Sequence, residues 1–199
     1  MPRVEVISRK RLLDDFFKVD EVCLRFERFD GTMSAVVRRL NFERGDAAAA
    51  LLVNVERGIV YLVQQFMYPT LEKAGGWLDT VVAGMIDAGE TPEQAIRREI
   101  VEEAGFTVEA VEPIASFFVS PGGSSERIFL FAALVSDAAR TSAGGGLAIE
   151  NEDIKVMEWP IDEFLARVIA GRLPDAKTII AGCWLKDNLA RIMPGREAL

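Results

Sequence analysis

Three glutamates stand close together in the sequence, at the spacing E-x-x-E-E. In a helix, with about 100° between successive residues, Glu99, Glu102 and Glu103 would fan out over an arc of about 100°. Like charges at such spacings destabilise a helix by about 0.2–0.5 kcal/mol per pair. A solvent-exposed acidic face is one interpretation. The other is a site for hard divalent cations such as Mg²⁺, which bind carboxylate oxygens.

A helix from Pro92 to Ala104 is predicted to position these glutamates. Thr91 and Gln94 match a capping box, and Pro92 suits the first helical position. Gly105 is a typical helix stop. Apolar residues occupy the arc beside the glutamates, namely Ile96, Ile100 and Ala104. One edge of the helix is therefore expected to be buried beside the carboxylates.

Composition limits the chemistry that this chain can perform. The sequence has 199 residues, a net charge of −8 and no histidine. The negative charge argues against nucleic acid as a partner, and the lack of histidine excludes Ser-His-Asp catalysis and histidine-ligated metals. No apolar run is long enough to span a membrane, and the N-terminus lacks the apolar centre of a signal peptide. We therefore expect a cytoplasmic protein that uses carboxylates, hydroxyls, lysine or an oxygen-bound metal.

The remaining elements predict a mixed α/β sandwich. Short alternating strands fill residues 4–45, with a turn at Asp30-Gly31, and further strands follow, the last of them over residues 77–87. Two more strands flank the loop "PGGSSE", another follows "IENED", and two helices complete the chain. Strands interleaved with few helices favour a sandwich over a doubly wound sheet. The predicted domains are an N-terminal antiparallel β segment, residues 1–45, and a second domain, residues 46–199.

A longer signature surrounds the three glutamates. From Gly84 to Phe106 the chain fits the pattern G-x5-E-x7-R-E-U-x-E-E-x-G-U at every specified position, where U is an aliphatic or bulky apolar residue. This stretch resembles the signature of the Nudix hydrolases. The resemblance implies a Nudix-type α/β/α sandwich with a mixed sheet. It also implies hydrolysis of nucleoside diphosphates linked to another moiety, with Mg²⁺ as cofactor and Mn²⁺ as a substitute.

The resemblance assigns roles to individual residues of the signature. Glu99, Glu102 and Glu103 match the family's metal ligands, and the carbonyl of Ala83 could complete the metal shell. Arg98 matches the arginine that orients these carboxylates; an exposed helix arginine is the alternative. For Glu90 two interpretations stay open, namely distant metal binding and a tie between loop and helix.

Stretches outside the signature, including "FERGDAAAALL", "SPGGSSE" and "GGLAIENEDIKV", resemble the ADP-ribose pyrophosphatase branch. This branch includes relatives that act on other nucleotide sugars such as GDP-mannose. It implies a homodimer whose N-terminal β segment packs on the partner and contributes to its substrate pocket. Glu152 matches the residue that activates or positions the attacking water, with Glu150 and Asp153 as alternatives. The glycines at 144–146 are expected to let this loop close over bound substrate, unless the loop is only a polar turn.

Substrate contacts are expected from a loop and a group of arginines. The loop "SPGGSSE" offers backbone N–H groups and hydroxyls for a sugar or phosphate, with a plain hairpin loop as the alternative. Arginines near the end of the N-terminal segment could reach a phosphate across the dimer. The expected substrate-binding residues are Arg38, Arg39, Arg44, Ser120, Gly122, Gly123 and Glu126. Two departures from the branch bear on the substrate: Met67 replaces a frequent arginine, and Asp46 stands where a histidine is common.

The sequence thus predicts hydrolysis of ADP-ribose or a related nucleotide sugar to a nucleoside monophosphate and a sugar phosphate. A GDP-mannose or other nucleotide-sugar diphosphatase is the nearest alternative. A non-catalytic nucleotide-sugar sensor on the same scaffold is a second, although an eroded signature would be expected there. A structural Ca²⁺ binder is a third.

Overall fold

The computed structural model describes residues 2–194, apart from the side chain of Glu150. These residues form two compact units. The first unit contains the chain up to Asp46 together with Phe117–Ile128, and the second contains Ala47–Ser116 and the described chain from Phe129 onwards. The role in dimerisation expected for residues 1–45 stays a prediction.

The first unit is built on a three-stranded antiparallel sheet in the order β1-β2-β3. Its strands are β1 (Val4–Asp14), β2 (Lys18–Phe26) and β3 (Val37–Glu43). Between β2 and β3 the predicted turn is confirmed: Gly31 has a φ of 80°, and the side chain of Asp30 accepts the Thr32 N–H at 2.9 Å. Every residue of β1 is exposed. This strand is an open edge of the sheet.

A larger sheet of seven strands follows the order β10-β5-β4-β9-β8, with β6 paired to β5 and β7 paired to β4. Its strands are β4 (Ala47–Asn54), β5 (Ile59–Phe66), β6 (Trp77–Thr80), β7 (Val82–Met85), β8 (Glu112–Phe118), β9 (Arg127–Leu134) and β10 (Lys155–Pro160). All eight residues of β4 are buried, so this strand is covered on both faces. The segment predicted as one strand over 77–87 is two short strands, β6 and β7.

Four helices pack in the second unit, namely α1 (Leu71–Ala74), α2 (Pro92–Glu99), α3 (Ile161–Ile169) and α4 (Ala176–Ile192). Ile96 of α2 shares a core with Tyr61 and alternate residues of β4. Helix α4 also contacts β4 and packs on α3, where Gly182 lies against Val168. Because side chains alternate along a strand, helices cover both faces of β4, and the α/β class is confirmed. Within residues 2–194, no helix is both long and apolar enough to cross a membrane.

The helix that carries the three glutamates changes its winding halfway. The capping box of Thr91 and Gln94 is confirmed, and the α-helical part ends at Glu99. A π turn, Ile100–Ala104, continues it and ends where the N–H of Gly105 donates to the carbonyls of Ile100 and Val101. The prediction of one continuous α-helix to Ala104 was wrong in this respect. A π turn adds a residue to the turn and is frequent at functional sites.

Thr178 joins the first turn of α4 to the connection between β6 and β7. Its hydroxyl is fully buried, donates to the carboxylate of Asp175 at 2.7 Å, and accepts the N–H of Val81 at 3.0 Å. Asp175 caps α4 by accepting the N–H of Thr178 at 3.0 Å. This relay therefore fixes the start of β7, the strand that leads to Gly84.

We expect Thr178→Val to destabilise the protein by about 1–3 kcal/mol, because the buried N–H of Val81 loses its acceptor. Thr178→Ser keeps the hydroxyl and loses one methyl group, worth about 0.8 kcal/mol. Denaturant unfolding should therefore rank the valine variant as the less stable of the two. A valine variant as stable as the serine variant would contradict the relay.

Candidate active site

The three signature glutamates lie at the end of α2 and in its π turn. Glu103 is only 2% exposed, and the side chain of Glu99 is 13% exposed. One carboxylate oxygen of Glu103 accepts the N–H of Ala83 in β7 at 3.1 Å. Strand β7 and the π turn therefore hold two of the three carboxylates in a largely buried position, while Glu102 is half-buried.

Gly84 makes room for the carboxylate of Glu99. A Cβ atom at this position would lie 1.9 Å from Oε1 of Glu99, far inside the contact distance of the two atoms. The glycine at the start of the signature thus leaves the space that the carboxylate of Glu99, bonded to Arg98, occupies. Gly84 does not adopt a left-handed backbone conformation, because its φ is not positive.

Arg98 connects the acidic residues of the site. Its guanidinium donates to Glu99 at 2.7 Å and to Glu102 at 3.1 Å through the same nitrogen, Nη1. The other two nitrogens donate to Glu90 at 3.1 and 3.0 Å. One guanidinium thus contacts three carboxylates, two of which, those of Glu99 and Glu102, are among those that the resemblance implies it orients.

Glu90 ties the loop before α2 to the helix. Besides Arg98, it accepts the backbone N–H of Asp87 at 3.1 Å. The hydrogen bond from Arg98 lowers the pKa of Glu90, and the bond from Asp87 acts in the same direction. These contacts fit the second interpretation of Glu90, in which its carboxylate ties the loop to the helix.

Burial raises the pKa of two of the glutamates. The pKa of Glu103 rises to about 8, chiefly because its carboxylate is desolvated, and the charges of Glu99 and Glu152 add to this effect. Burial also raises the pKa of Glu99, against the opposing hydrogen bond from Arg98. Two buried anions side by side are unfavourable, so burial favours the protonated carboxyl groups. A bound cation would instead favour the ionised carboxylates.

The donor set suits a hard divalent cation. Glu99, Glu102 and Glu103 offer carboxylate oxygens, the ligand type that Mg²⁺ and Mn²⁺ prefer, and the carbonyl of Ala83 adds another oxygen nearby. Among residues 2–194, however, no three acidic side chains already converge as a cluster able to hold an ion. Arg98 contacts Glu99 and Glu102 through one oxygen of each carboxylate, namely Oε1 of Glu99 and Oε2 of Glu102.

Glu152 acts electrostatically on two of the signature glutamates. Its charge raises the pKa of both Glu99 and Glu103, and its Oε2 accepts the N–H of Leu147 at 2.9 Å. Asp153 is exposed and lines a separate cavity of about 410 Å³ with Gln64, Trp77 and Lys155. The side chain of the other alternative, Glu150, lies outside what the structure describes. Of the two alternatives that can be placed, the geometry therefore favours Glu152.

The residues expected to bind substrate lie in the first unit. Arg44 forms an ion pair with Glu126 at 3.6 Å, and β3 meets the loop where the N–H of Phe42 donates to the carbonyl of Gly123 at 2.8 Å. Within the loop, the carbonyl of Ser120 accepts the N–H of Gly123 at 3.0 Å. Gly122 stands in the exposed turn between them. Five expected residues are thus brought together around one loop: four lie in it, and Arg44 pairs with one of them.

Arg38 and Arg39 make different contacts. Arg38 forms an ion pair with Glu21 of β2, and the guanidinium of Arg39 donates to the carbonyl of Arg38 at 3.0 Å. Both residues are exposed on β3. The contacts described for these two arginines are with the sheet and not with the loop.

Asp46 is neutralised by a neighbour. Its carboxylate accepts the backbone N–H of Arg127 at 3.0 Å and pairs with the Arg127 guanidinium at 2.5 Å. The acidic residue that replaces a common histidine therefore adds little net negative charge to the first unit.

Two features of the second unit lie outside the expectations from sequence. A cavity of about 1040 Å³ is lined by Thr107, Leu134 and Trp184 among others and contains none of the expected site residues. Leu147 holds the carboxylate of Glu152, but it does so through its backbone N–H. No side-chain pattern could have indicated that contact.

Comparison with known proteins points to one family across most of the chain. A family model described as NUDIX domain matches residues 43–179. The ADP-ribose pyrophosphatase of Escherichia coli (strain K12) is 42% identical over 188 residues, which cover 92% of this chain and 88% of the relative. The GDP-mannose pyrophosphatase of Cronobacter sakazakii is 38% identical over 179 residues, which cover 89% and 92% of the two chains.

A crystal structure described as an ADP compounds hydrolase has the same fold, with a TM-score of 0.70 at 18% identity. The match covers 94% of this chain and 96% of that one. The fold, the complete signature and the extent of sequence identity agree with one another. The chain therefore belongs to the Nudix hydrolase family, and its relatives include pyrophosphatases named for ADP-ribose and for GDP-mannose.

Proposed function

We propose that this Nudix enzyme hydrolyses the pyrophosphate bond of ADP-ribose or a related nucleotide sugar, with Mg²⁺ as cofactor. The products are a nucleoside monophosphate and a sugar phosphate. The observation that carries the proposal is the grouping of carboxylates around Arg98 and β7: Arg98 contacts Glu99 and Glu102, and the buried carboxylate of Glu103 accepts the N–H of Ala83. The relatives named for ADP-ribose and GDP-mannose suggest the substrate class.

Glu99, Glu102 and Glu103 hold the metal in this proposal, with the carbonyl of Ala83 as a further ligand. When bound there, Mg²⁺ or Mn²⁺ would screen the charge of the diphosphate and polarise an attacking water. Arg98 keeps the carboxylates oriented through its bonds to Glu99 and Glu102. Much of the catalysis is then positioning and charge stabilisation, as in phosphoryl transfer generally.

Glu152 acts on the water. Its carboxylate accepts a proton from the water as the oxygen attacks phosphorus, and the bond from that phosphorus to the bridging oxygen breaks. The hydrogen bond from Leu147 holds one carboxylate oxygen and leaves the other available. A positioned base of this kind increases the reaction rate by about 10²–10⁴-fold.

The substrate contacts come from the first unit in this proposal. Arg38, Arg39 and Arg44 supply positive charge for a phosphate, and Ser120, Gly122, Gly123 and Glu126 contact the sugar or the base. ADP-ribose is the first candidate, because the relatives with that name share the higher identity, 42% against 38%. GDP-mannose is the second, because its pyrophosphatases match 89% of the chain.

We also propose that two copies of the chain associate through the first unit. The strand β1 is an edge strand with exposed apolar side chains, among them Val6 at 57% and Leu12 at 46%. Exposed apolar edges of this kind mark interaction sites. The cytoplasmic location expected from the sequence stays a prediction.

The substrate is tested with a panel of nucleotide sugars. We expect hydrolysis of ADP-ribose in magnesium chloride to exceed that of GDP-mannose, measured by phosphatase-coupled release of phosphate from the products. Strong activity on GDP-mannose with none on ADP-ribose would move the assignment to the second candidate. Binding without hydrolysis of any panel member would contradict an enzymatic function.

Glu103→Gln should reduce turnover at least about 100-fold, because the variant loses a charged metal ligand. Glu93→Gln is the matched control, since Glu93 lies in the first turn of α2 and takes no part in the site. Circular dichroism should show both variants folded. Unchanged turnover in Glu103→Gln would contradict the assignment of this residue.

The raised pKa of Glu103 makes the stability of the metal-free protein depend on pH. Folding raises this pKa from 4.5 to about 8, so between these values only the folded state keeps the proton. The free energy of unfolding must then fall as pH rises through this window, by up to about 1.4 kcal/mol per pH unit for one group. We expect this decrease in EDTA, measured by denaturant unfolding at pH 5.5 and pH 8.

Glu103→Gln should reduce that slope, because the amide does not ionise. Magnesium chloride at pH 8 should stabilise the wild type more than the variant. Identical slopes for the two proteins in EDTA would show that Glu103 is not the buried acid responsible.

Homodimer formation is measured by light scattering. We expect the mass of two chains for the wild type and a shift toward one chain for the double variant Val6→Lys/Leu12→Lys, since buried lysines are unfavourable in an interface core. Ser8→Lys adds a charge to the same strand without removing an apolar side chain, and it should disturb the dimer less. A wild-type mass of one chain would refute the proposal.

A further inference from the structure

The three consecutive glycines Gly144–Gly146, here called the glycine strap, are bonded to the π turn. The N–H of Gly145 donates to the carbonyl of Glu103 at 2.9 Å, and the N–H of Gly146 donates to the carbonyl of Glu102 at 3.0 Å. The strap was expected to be a flexible loop. Instead, its backbone is attached to the two residues of the turn that carry signature carboxylates.

Close packing supports this attachment. A Cβ atom on Gly144 would lie 2.3 Å from the carbonyl oxygen of Glu103. On the other side, a Cβ atom on Gly105, which follows the π turn, would lie 2.8 Å from the backbone nitrogen of Gly144. Both obstacles are backbone atoms, which cannot move aside as a flexible side chain can. Contact between the strap and the π turn therefore requires glycine on both sides.

The strap also determines the space for Glu152. A Cβ atom on Gly146 would lie 2.5 Å from Oε2 of Glu152 and 2.7 Å from its Cβ. The next residue, Leu147, donates its N–H to the same Oε2 at 2.9 Å. Beyond Glu152, the N–H of Ile154 donates to the carbonyl of Gly145 at 3.2 Å. The side chain of Glu152 thus lies in the volume that Gly146 leaves free.

We propose that Gly146 is a positioning residue for hydrolysis: it lets Glu152 lie against a strap that is itself bonded to the turn carrying Glu102 and Glu103. The inference rests on the proposed function of Glu152 and adds how that residue is placed. Because the links run through the backbone, the strap sets the position of the base relative to the metal ligands without any side chain of its own.

The test is a double-mutant cycle between Gly146→Ala and Glu152→Gln, with ADP-ribose, GDP-mannose and magnesium chloride as probes. Gly146→Ala should lower kcat about tenfold or more and change KM less than about threefold, because a misplaced base affects the chemical step more than binding. In the Glu152→Gln background the same substitution should lower kcat no more than about twofold, since the base is already absent.

Gly171→Ala is the matched control. Gly171 has a φ of 63°, close to the 80° of Gly146, but a Cβ atom there would meet nothing within 4 Å. Its alanine variant carries comparable backbone strain, so its melting temperature should fall while kcat stays unchanged. The proposal would be overturned if Gly171→Ala lost as much kcat as Gly146→Ala. It would also be overturned if Gly146→Ala still lowered kcat tenfold in the Glu152→Gln background.

A second pair of variants covers the case in which Gly146→Ala does not fold. Leu147→Pro removes the N–H that holds Glu152, whereas Leu147→Ala shortens the side chain and keeps the N–H. We expect kcat to be lower in the proline variant, and equal values would overturn the proposal. If Glu152→Gln has full turnover, the role of Glu152 in the proposed function is refuted. If Glu152→Gln loses turnover but Gly146→Ala does not, only the positioning role of Gly146 is refuted.

Discussion

Burial of negative charge is the constraint on which the site depends. Glu99 and Glu103 are largely removed from water, and each carries a raised pKa because desolvation disfavours the charged form. Such an arrangement persists only when the surrounding structure compensates for it. Arg98 and the N–H of Ala83 provide part of that compensation, and a cation bound among the carboxylates would provide more.

The fold assembles this site from a few elements. Strand β4 is buried throughout and pairs with β7, whose Gly84 lies beside the carboxylate of Glu99. Ile96 of α2 and Ile100 of the π turn belong to the same core as β4. The position of the glutamates therefore follows from the packing of a helix on a sheet, and the π turn adjusts where the last two side chains point.

Much of this arrangement could be predicted from the sequence, because the signals are local. The capping box at Thr91, the glycine stop at Gly105 and the buried run of β4 each specify their own structure. The signature then placed Arg98 beside its carboxylates. What the sequence could not show were contacts made by backbone atoms over long separations, such as the bonds from the glycine strap to the π turn. Three glycines in a row indicate flexibility by composition alone, and only the fold shows that their N–H groups are used.

The open edge of the first unit has a consequence for how the chain avoids aggregation. An uncovered strand of eleven residues offers backbone donors and acceptors to any extended polypeptide, which is the usual starting point of uncontrolled strand addition. The middle of β1, however, carries Arg9, Lys10 and Arg11 in succession. Adjacent cations act as gatekeepers against indiscriminate pairing, so this edge discriminates by charge among the strands that approach it.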